Sequence, residues 1–441
     1  MSKPAKGDMK TDGALKATKT TKTTKAAKAA KDKPDVKASD VVATVRQRFL
    51  LSADALAALV DKLAAAGTPA VAPAWTADGA ATATNAAAAT STARETEYRS
   101  VSGAAELALG ERLPRLSLKQ YFLPPTEVLF SYRRNGGGEV ELTPAPTDFA
   151  AQVVLGARPC DTAALPIVDK VMNWDYADEL WNARRAATTI FSLACGVEDD
   201  SCFCSAVFLD PATAQGADGL LTPVDDGYLV ETLTDKGDAF VAAHAESFAA
   251  LAAKTDKAAT AQAEAFRAAA SERVAGHLAL DHEALRDWLE NHFDDPFWTT
   301  LGLRCNGCGV CASVCPTCHC FDIVDEPESV GRGVRRRNWD TCQTCVFTLH
   351  ASGHNPRADQ NARYRQRIEH KFHVYPLKFG DVLCTGCGRC SRACPTSQDL
   401  AEILAAIDAK AAAESAAPDK AGKADKATKG ADDAPTTGAD S

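Results

Sequence analysis

Two cysteine runs of identical spacing constrain this chain more than any other feature. They follow a CxxCxxCxxxCP pattern, in CNGCGVCASVCP with Cys305, Cys308, Cys311 and Cys315, and in CTGCGRCSRACP with Cys384, Cys387, Cys390 and Cys394. Three thiolates at two-residue gaps can wrap one face of a 4Fe-4S cubane, and the fourth, followed by proline, reaches the partner cubane in two-cluster ferredoxins. The runs therefore predict two 4Fe-4S clusters.

Crossed ligation also predicts which thiolates share a cluster. The first set is Cys305, Cys308, Cys311 and Cys394, and the second is Cys384, Cys387, Cys390 and Cys315. Because crossing holds the two runs side by side, electrons can pass between the clusters, which favours an electron relay. A structural zinc scaffold is the weaker alternative, since zinc sites use separated ligand pairs rather than a triplet followed by Cys-Pro.

The other eight cysteines form two groups whose roles the residues leave open. The first group, in LGARPCD and CGVEDDSCFC, is Cys160, Cys195, Cys202 and Cys204. It holds a third cluster, or some of its members are small buried hydrophobic residues, or redox-active thiols occur among Cys195, Cys202 and Cys204. The second group, in CPTCHCFD and WDTCQTC, is Cys318, Cys320, Cys342 and Cys345. It binds another cluster or metal, with His319 as a further ligand, or it only shapes the surroundings of the first cubane.

A basic segment runs between the two cysteine runs. It contains Arg332, Arg335, Arg336, Arg337, Arg363, Arg365, Arg367, His370 and Lys371. Cations close to a negatively charged cubane would stabilise it and raise its potential. A subunit-docking patch and a merely solvated cationic face are the alternatives.

Composition limits the location and the partners. Sixteen cysteines among 441 residues, grouped at short gaps, indicate cluster or metal ligation rather than disulfides. We find neither a secretory signal pattern nor an apolar stretch of about 18 residues, so we expect a cytoplasmic protein without a membrane span. The net charge of -9 argues against specific nucleic-acid binding.

The chain divides into four segments by composition. We predict that residues 1–38 form a disordered basic tail and that residues 39–295 form a mixed α/β domain. We predict a mainly helical, ferredoxin-like dicluster domain over residues 296–400. Residues 401–441 should contain the end of a helix and a disordered tail from about 408.

In RQRFLLSADALAALVDKLAAAG we predict a helix that includes Phe49 and Leu50 and has Ser52 as its N-cap. Residues 68–97 predict a surface excursion and 238–274 one long helix. VLFSYRR, FAAQVVLGARP and GYLVETL predict strands, and LPIVDKVMNW a helix.

The ordered motifs resemble one family. LPPTEVLFSY, GARPCDTAALPIVDKV, YADELWNARR, CGVEDDSCFC, CNGCGVCASVCPTCHCFDIVDE, SGHNPR, RIEHKF and CTGCGRC are similar to the beta subunit of sulfhydrogenases and the related iron–sulfur subunit of anaerobic sulfite reductase, over residues 45–400. The resemblance implies an electron-transfer subunit that docks with a flavin-bearing, NAD(P)H-binding subunit, and with a catalytic redox partner, in a hydrogenase, a sulfite reductase or a heterodisulfide reductase-linked assembly. It also favours the third cluster.

The sequence offers no sign of a complete catalytic centre. It contains neither a GxGxxG fingerprint opening a βαβ unit nor a P-loop. We therefore expect the subunit of an oxidoreductase complex rather than a stand-alone enzyme. A catalytic role through an open cluster or redox-active thiols is the alternative.

Overall fold

The computed structural model describes residues 44–76 and 94–416. The predicted tail at 1–38, part of the predicted excursion at 68–97 and the end of the predicted C-terminal tail lie outside the described residues. Within them, a mixed α/β region precedes a mainly helical region that carries both cysteine runs, so the predicted fold class is confirmed.

An eight-stranded sheet forms the centre of the α/β region, in the order β10-β1-β9-β8-β7-β6-β2-β3. Its strands are β1 (Gln47–Leu51), β2 (Ala70–Trp75), β3 (Thr96–Val101), β6 (Gln152–Ala157), β7 (Thr188–Leu193), β8 (Gly219–Val224), β9 (Gly227–Thr232) and β10 (Ala249–Ala250). The four strands β2, β6, β7 and β8 are parallel, and the outer pairings are antiparallel. Parallel strands bring their carboxyl ends to one edge of the sheet.

Alternating side chains bury both faces of this sheet. On β6, Val153 and Leu155 enter one core, and Val154 enters the opposite core. The period of two is that of a strand with apolar layers on both sides. Its covering helices are α1 (Ala53–Ala65), α2 (Pro159–Thr162), α3 (Ala164–Met172), α4 (Glu179–Ala187), α5 (Asp235–Ala243) and α6 (Ala253–Ala275).

A second, four-stranded antiparallel sheet joins the two regions, in the order β11-β12-β4-β5. It contains β4 (Thr126–Arg134), β5 (Val140–Pro144), β11 (Phe321–Ser329) and β12 (Arg332–Trp339). β12 pairs directly with β4, so a hairpin from the cysteine-rich region completes a sheet begun in the α/β region. The domain boundary near residue 295 stays a prediction.

The remaining helices build the core on which the cysteine runs rest. They are α7 (His282–Asn291), α8 (Phe297–Arg304), α9 (Val310–Ser313), α10 (Gln360–Glu369), α11 (Tyr375–Phe379), α12 (Arg389–Arg392) and α13 (Leu400–Ala416). Between α10 and α11 the chain makes a π-helical turn over His370–Val374. Leu289, Trp298 and Leu404 belong to one buried cluster here, which also includes Cys384.

Several predicted elements are confirmed. The strands predicted in VLFSYRR, FAAQVVLGARP and GYLVETL are β4, β6 and β9, and the helix in LPIVDKVMNW is α3. Ser52 is the N-cap of α1, and its side chain accepts a hydrogen bond from the amide of Ala55. That bond satisfies one of the free N–H groups at the helix start.

Four predictions of local structure were wrong. Phe49 and Leu50 belong to β1, because the backbone before the Ser52 cap pairs with β9. Residues 70–75 form the buried strand β2 rather than a surface excursion, since their small apolar side chains fit between two cores. The span 238–274 is two helices, α5 and α6, separated by β10. The C-terminal helix continues to Ala416, beyond the tail start predicted at 408.

Candidate functional site

The two cysteine runs adopt the same backbone shape. Each is a loop followed by a single helical turn, α9 in the first run and α12 in the second. Gly309 and Gly388 precede these turns with φ values of 74° and 67°. This left-handed conformation favours glycine, because a Cβ would be strained there. The repeated motif therefore encodes a repeated loop.

The first run and the end of the second surround one cavity. Its walls include Cys305, Cys308, Cys311, Cys390 and Cys394, and we call the four other than Cys390 the first cage. Gln360 donates a hydrogen bond from Nε2 to the Sγ of Cys305 at 3.2 Å. Cys308 is exposed, whereas the other three thiols are half-buried. This cage is the first predicted ligand set.

A second cavity lies beside the first. Its walls include Cys315, Cys384, Cys387 and Cys390, which we call the second cage. Cys315 and Cys384 are buried, and burial raises the pKa of Cys384 to about 12. The crossed sets expected from spacing are thus brought together in space, while ligation itself stays a prediction.

A third cavity lies at the carboxyl ends of two parallel strands, and its walls also include Cys387 of the second cage. Cys160 follows β6, Cys195 follows β7, and a loop adds Cys202 and Cys204. We call these four residues the third cage. Burial raises the pKa of Cys202 to about 11 and that of Cys204 to about 12. The fold therefore gathers four thiols from distant parts of the sequence around one cavity.

Buried cations face the first and second cages. Arg367 donates from Nη1 to the Sγ of Cys318 at 3.5 Å and from Nη2 to the carbonyl of Cys311 at 3.3 Å. Lys371, on the π-helical turn, has its Nζ 3.5 Å from the Sγ of Cys315. Burial lowers the pKa of Lys371, but the charges of Cys315 and Cys318 outweigh it and raise that pKa. Neither cation forms an ion pair with any carboxylate in the described part of the chain.

A buried arginine also lies near the third cage. Arg158 has no exposed surface, and its Nε and Nη1 have no hydrogen-bond partner within the described residues. Its Nη2 donates to the carbonyl of Arg112 at 3.1 Å. Burial raises the pKa of Cys195, and the nearby Arg158 charge acts in the opposite direction.

These cations provide the test of fit for a cluster. A buried charge is costly unless an opposite charge compensates it. A 4Fe-4S cluster held by four thiolates carries net negative charge, so it would supply that compensation in each cage. The residues present therefore fit cubanes.

The second group of uncertain cysteines is only partly brought together. The thiols of Cys320 and Cys342 hydrogen-bond to each other, which lowers the pKa of Cys342 to about 6. Cys318 is hydrogen-bonded to Cys315 beside the second cage, and Cys345 is exposed. His319 is packed edge-on against His370. Across residues 44–76 and 94–416, no three His, Cys, Asp or Glu side chains are grouped closely enough to hold one metal ion.

The basic segment does not act as one unit. Arg332, Arg335 and Arg336 form ion pairs across the β11–β12 hairpin with Glu328, Asp325 and Glu326. Arg337 is buried between Glu127 and Asp178, and Arg365 pairs with Asp294. Within this segment only Arg367 and Lys371 contact cysteines, so these two alone fit the interpretation of cations beside a cubane.

Sequence reasoning missed three residues at the cages. Arg389 lies inside the second run, where its Nη1 is 3.9 Å from the Sγ of Cys160 and its Nη2 contacts Asp161 at 2.6 Å. Lys119 donates from a buried position to the carbonyls of Ala312 and Cys318. Arg158, the third, stands two residues before Cys160. The sequence feature that could have identified Arg389 and Arg158 is a positively charged residue within two positions of a motif cysteine.

Two comparisons with known proteins bear on this site. The family model of the 4Fe-4S dicluster domain matches residues 304–398. The beta subunit of sulfhydrogenase 2 from Pyrococcus furiosus is 31% identical over 308 residues, which cover 70% of this chain and 87% of that protein. This chain belongs to the sulfhydrogenase beta subunit family.

Membership of the sulfhydrogenase beta subunit family fits the site. The dicluster match contains all eight cysteines of the two runs, which makes the chain an iron–sulfur electron-transfer subunit of the 4Fe-4S type. The third cage lies outside the matched residues. A search of the described residues finds no helix that is long and apolar enough to cross a membrane.

Proposed function

We propose that this chain relays single electrons through three 4Fe-4S clusters, one in each cage, as the iron–sulfur subunit of a hetero-oligomeric redox complex. The ligands are the four cysteines of each cage, with the two runs crossed. The observation that carries the proposal is three cavities lined by cysteines, which are the four of each cage together with Cys390 in the first cavity and Cys387 in the third. Buried Arg367 and Lys371 contact cysteine sulfurs and have no carboxylate partner in the described part of the chain.

The bound clusters supply one-electron chemistry, and the chain's own residues determine how easily each cluster is reduced. The thiolates hold each cluster, and cations nearby make the reduced, more negative state less costly. Hydrogen bonds to the sulfurs also make the reduced state less costly. Gln360 donates one to Cys305, and the amide of Gly386 donates one to the Sγ of Cys384 at 3.4 Å. Burial keeps water away from Cys315 and Cys384.

The proposed partners follow from the family. The relative from P. furiosus is a subunit of a sulfhydrogenase. We infer that this chain connects a flavin-bearing NAD(P)H subunit to a catalytic redox subunit, in the cytoplasm. Electron exchange with two partners requires a series of redox centres between them, and three neighbouring cages would provide that series.

The test is reduction within the native assembly. The complex is isolated anaerobically through a tag on this chain, and NAD(P)H is added while visible absorption and EPR are recorded. We expect flavin and a second redox subunit to copurify and the 4Fe-4S signals of this chain to appear. If the chain is isolated without a flavoprotein, or NAD(P)H leaves its clusters oxidised while dithionite reduces them, the proposed partnership is wrong.

A further inference from the structure

We propose that the three cages form a linear series in which the second cage stands between the first and the third. The first and third cages are then the two ends at which partner subunits exchange electrons. This inference rests on the proposed function, since it orders the clusters which that function requires.

The first and second cages share a wall. Cys390, Arg367 and Leu400 line both cavities. Arg367 is almost fully buried and, as described, donates to the carbonyl of Cys311. One cation therefore serves the sites on both sides of this junction.

The second and third cages share a different wall. Cys387 lines both cavities, and its thiol is hydrogen-bonded to that of Cys160. The amide of Phe203 donates to the carbonyl of Gly386 at 2.8 Å. A Cβ on Gly386 would lie 2.5 Å from the backbone of Phe203 and Cys204. The two segments thus touch through their backbones.

A buried arginine marks this junction too. Arg389 contacts the Sγ of Cys160, the carboxylate of Asp161 and the carbonyl of Pro114. It stands in α12, between Cys387 and Cys390, so it ties the second run to the loop after β6. Each junction therefore consists of one shared cysteine and one buried arginine.

The first and third cages have no such junction. None of the described residues that line the first cavity also lines the third. A wide cleft touches the outer walls of both, at Val310 and at Val197, but no described cysteine lines it. Electrons that travel between the ends therefore cross the second cage. Exposed Cys308 marks one end, and half-buried Cys195 and Cys204 mark the other.

The order is tested by removing one cluster at a time from the full-length, fully reduced chain. The variants are Cys305→Ala for the first cage, Cys384→Ala for the second and Cys195→Ala for the third, and none of these residues lies in a shared wall. Exposed Cys345, outside all three cages, gives the matched control Cys345→Ala. Iron and acid-labile sulfide show which clusters remain, and pulsed EPR measures the magnetic interaction between them.

The series predicts a different loss in each variant. The chains without the first or the third cluster retain one strongly interacting pair. The chain without the second cluster retains two clusters whose mutual splitting is lost, and the control keeps the full spectrum. An interacting pair that persists after Cys384→Ala overturns the linear order. If Cys384→Ala binds no iron, the other two variants decide: loss of the interaction in Cys305→Ala puts the first cage in the middle, and its loss in Cys195→Ala puts the third cage there. A wild-type chain without any cubane rejects the proposed function itself.

Discussion

The paired cages and the third cage are built in opposite ways. The first two take their ligands from two copies of one short motif, in which glycines set the backbone at each turn. The third takes Cys160 and Cys195 from the ends of neighbouring parallel strands and adds Cys202 and Cys204 from a loop. The paired cages depend on local spacing, whereas the third depends on a folded sheet.

The largest expected effect is the loss of a whole cluster after a single cysteine substitution. We predict that Cys394→Ala removes the first cluster, although Cys394 belongs to the second run, because its thiol lines the first cavity. The EPR spectrum of Cys394→Ala should then match that of Cys305→Ala. A match with Cys384→Ala would show that the ligand sets are not crossed.

The third cage is expected to be lost on its own. We predict that Cys195→Ala lowers iron and sulfide by one cubane and leaves the interacting signals of the paired cages intact, since the first cage and Cys195 share no wall. Iron analysis and EPR on anaerobic protein provide the measurement. Iron content equal to that of wild type would mean that this cage holds no cluster.

A smaller effect is expected at the junction between the two kinds of cage. We predict that Gly386→Ala destabilises the protein by more than the roughly 1–2 kcal/mol of left-handed backbone strain, because its Cβ also meets the backbone of Phe203 and Cys204 at 2.5 Å. Gly353 has a φ of 82° and no atom within 4 Å of an added Cβ, so Gly353→Ala is the matched control for strain alone. Chemical denaturation of both variants measures the difference. Equal losses of unfolding free energy in the two variants would show that the close approach at Gly386 does not add to the destabilisation.

The smallest expected effects are shifts of potential. Removing a positive charge about 7 Å from a cluster, at an effective dielectric constant of about 20, makes reduction harder by about 2 kcal/mol, or about 100 mV. We predict that Lys371→Met lowers the potential of the second cluster and Arg158→Met that of the third. EPR-monitored redox titration measures both.

The matched control for these shifts lies on the surface hairpin. Arg335 pairs with Asp325 in an exposed position, so Arg335→Met should leave all potentials unchanged. A rise in potential after Lys371→Met, or an equal shift after Arg335→Met, would contradict the assigned roles of the cations.

The sequence predicted the paired cages well and the third less well, for a physical reason. Ligands in a short motif are held by local geometry, so spacing alone was enough to assign Cys315 and Cys394 to opposite sets. Cys160 and Cys195 meet only because β6 and β7 are neighbours, and the strand that precedes Cys195 was not among those predicted. Sheet order depends on long-range pairing, which spacing does not show.

The basic segment illustrates the same limit. Nine positively charged or histidine side chains close together in sequence were taken as one group, yet three arginines pair with carboxylates on the opposite strand of a hairpin. Side chains four residues apart on a helix share a face, and Arg367 and Lys371 have that spacing. Arg363 has the same spacing but bonds to Gln360 and to backbone carbonyls, so periodicity alone does not identify the two cations that contact cysteines.

The most direct test of the central claim is the iron and acid-labile sulfide content of the full-length chain, purified without oxygen. The three cages predict equal amounts of iron and sulfide at the level of three cubanes per chain, and no stoichiometric zinc. Material that contains zinc and lacks sulfide would contradict the account, and a content of two cubanes would contradict the third cage.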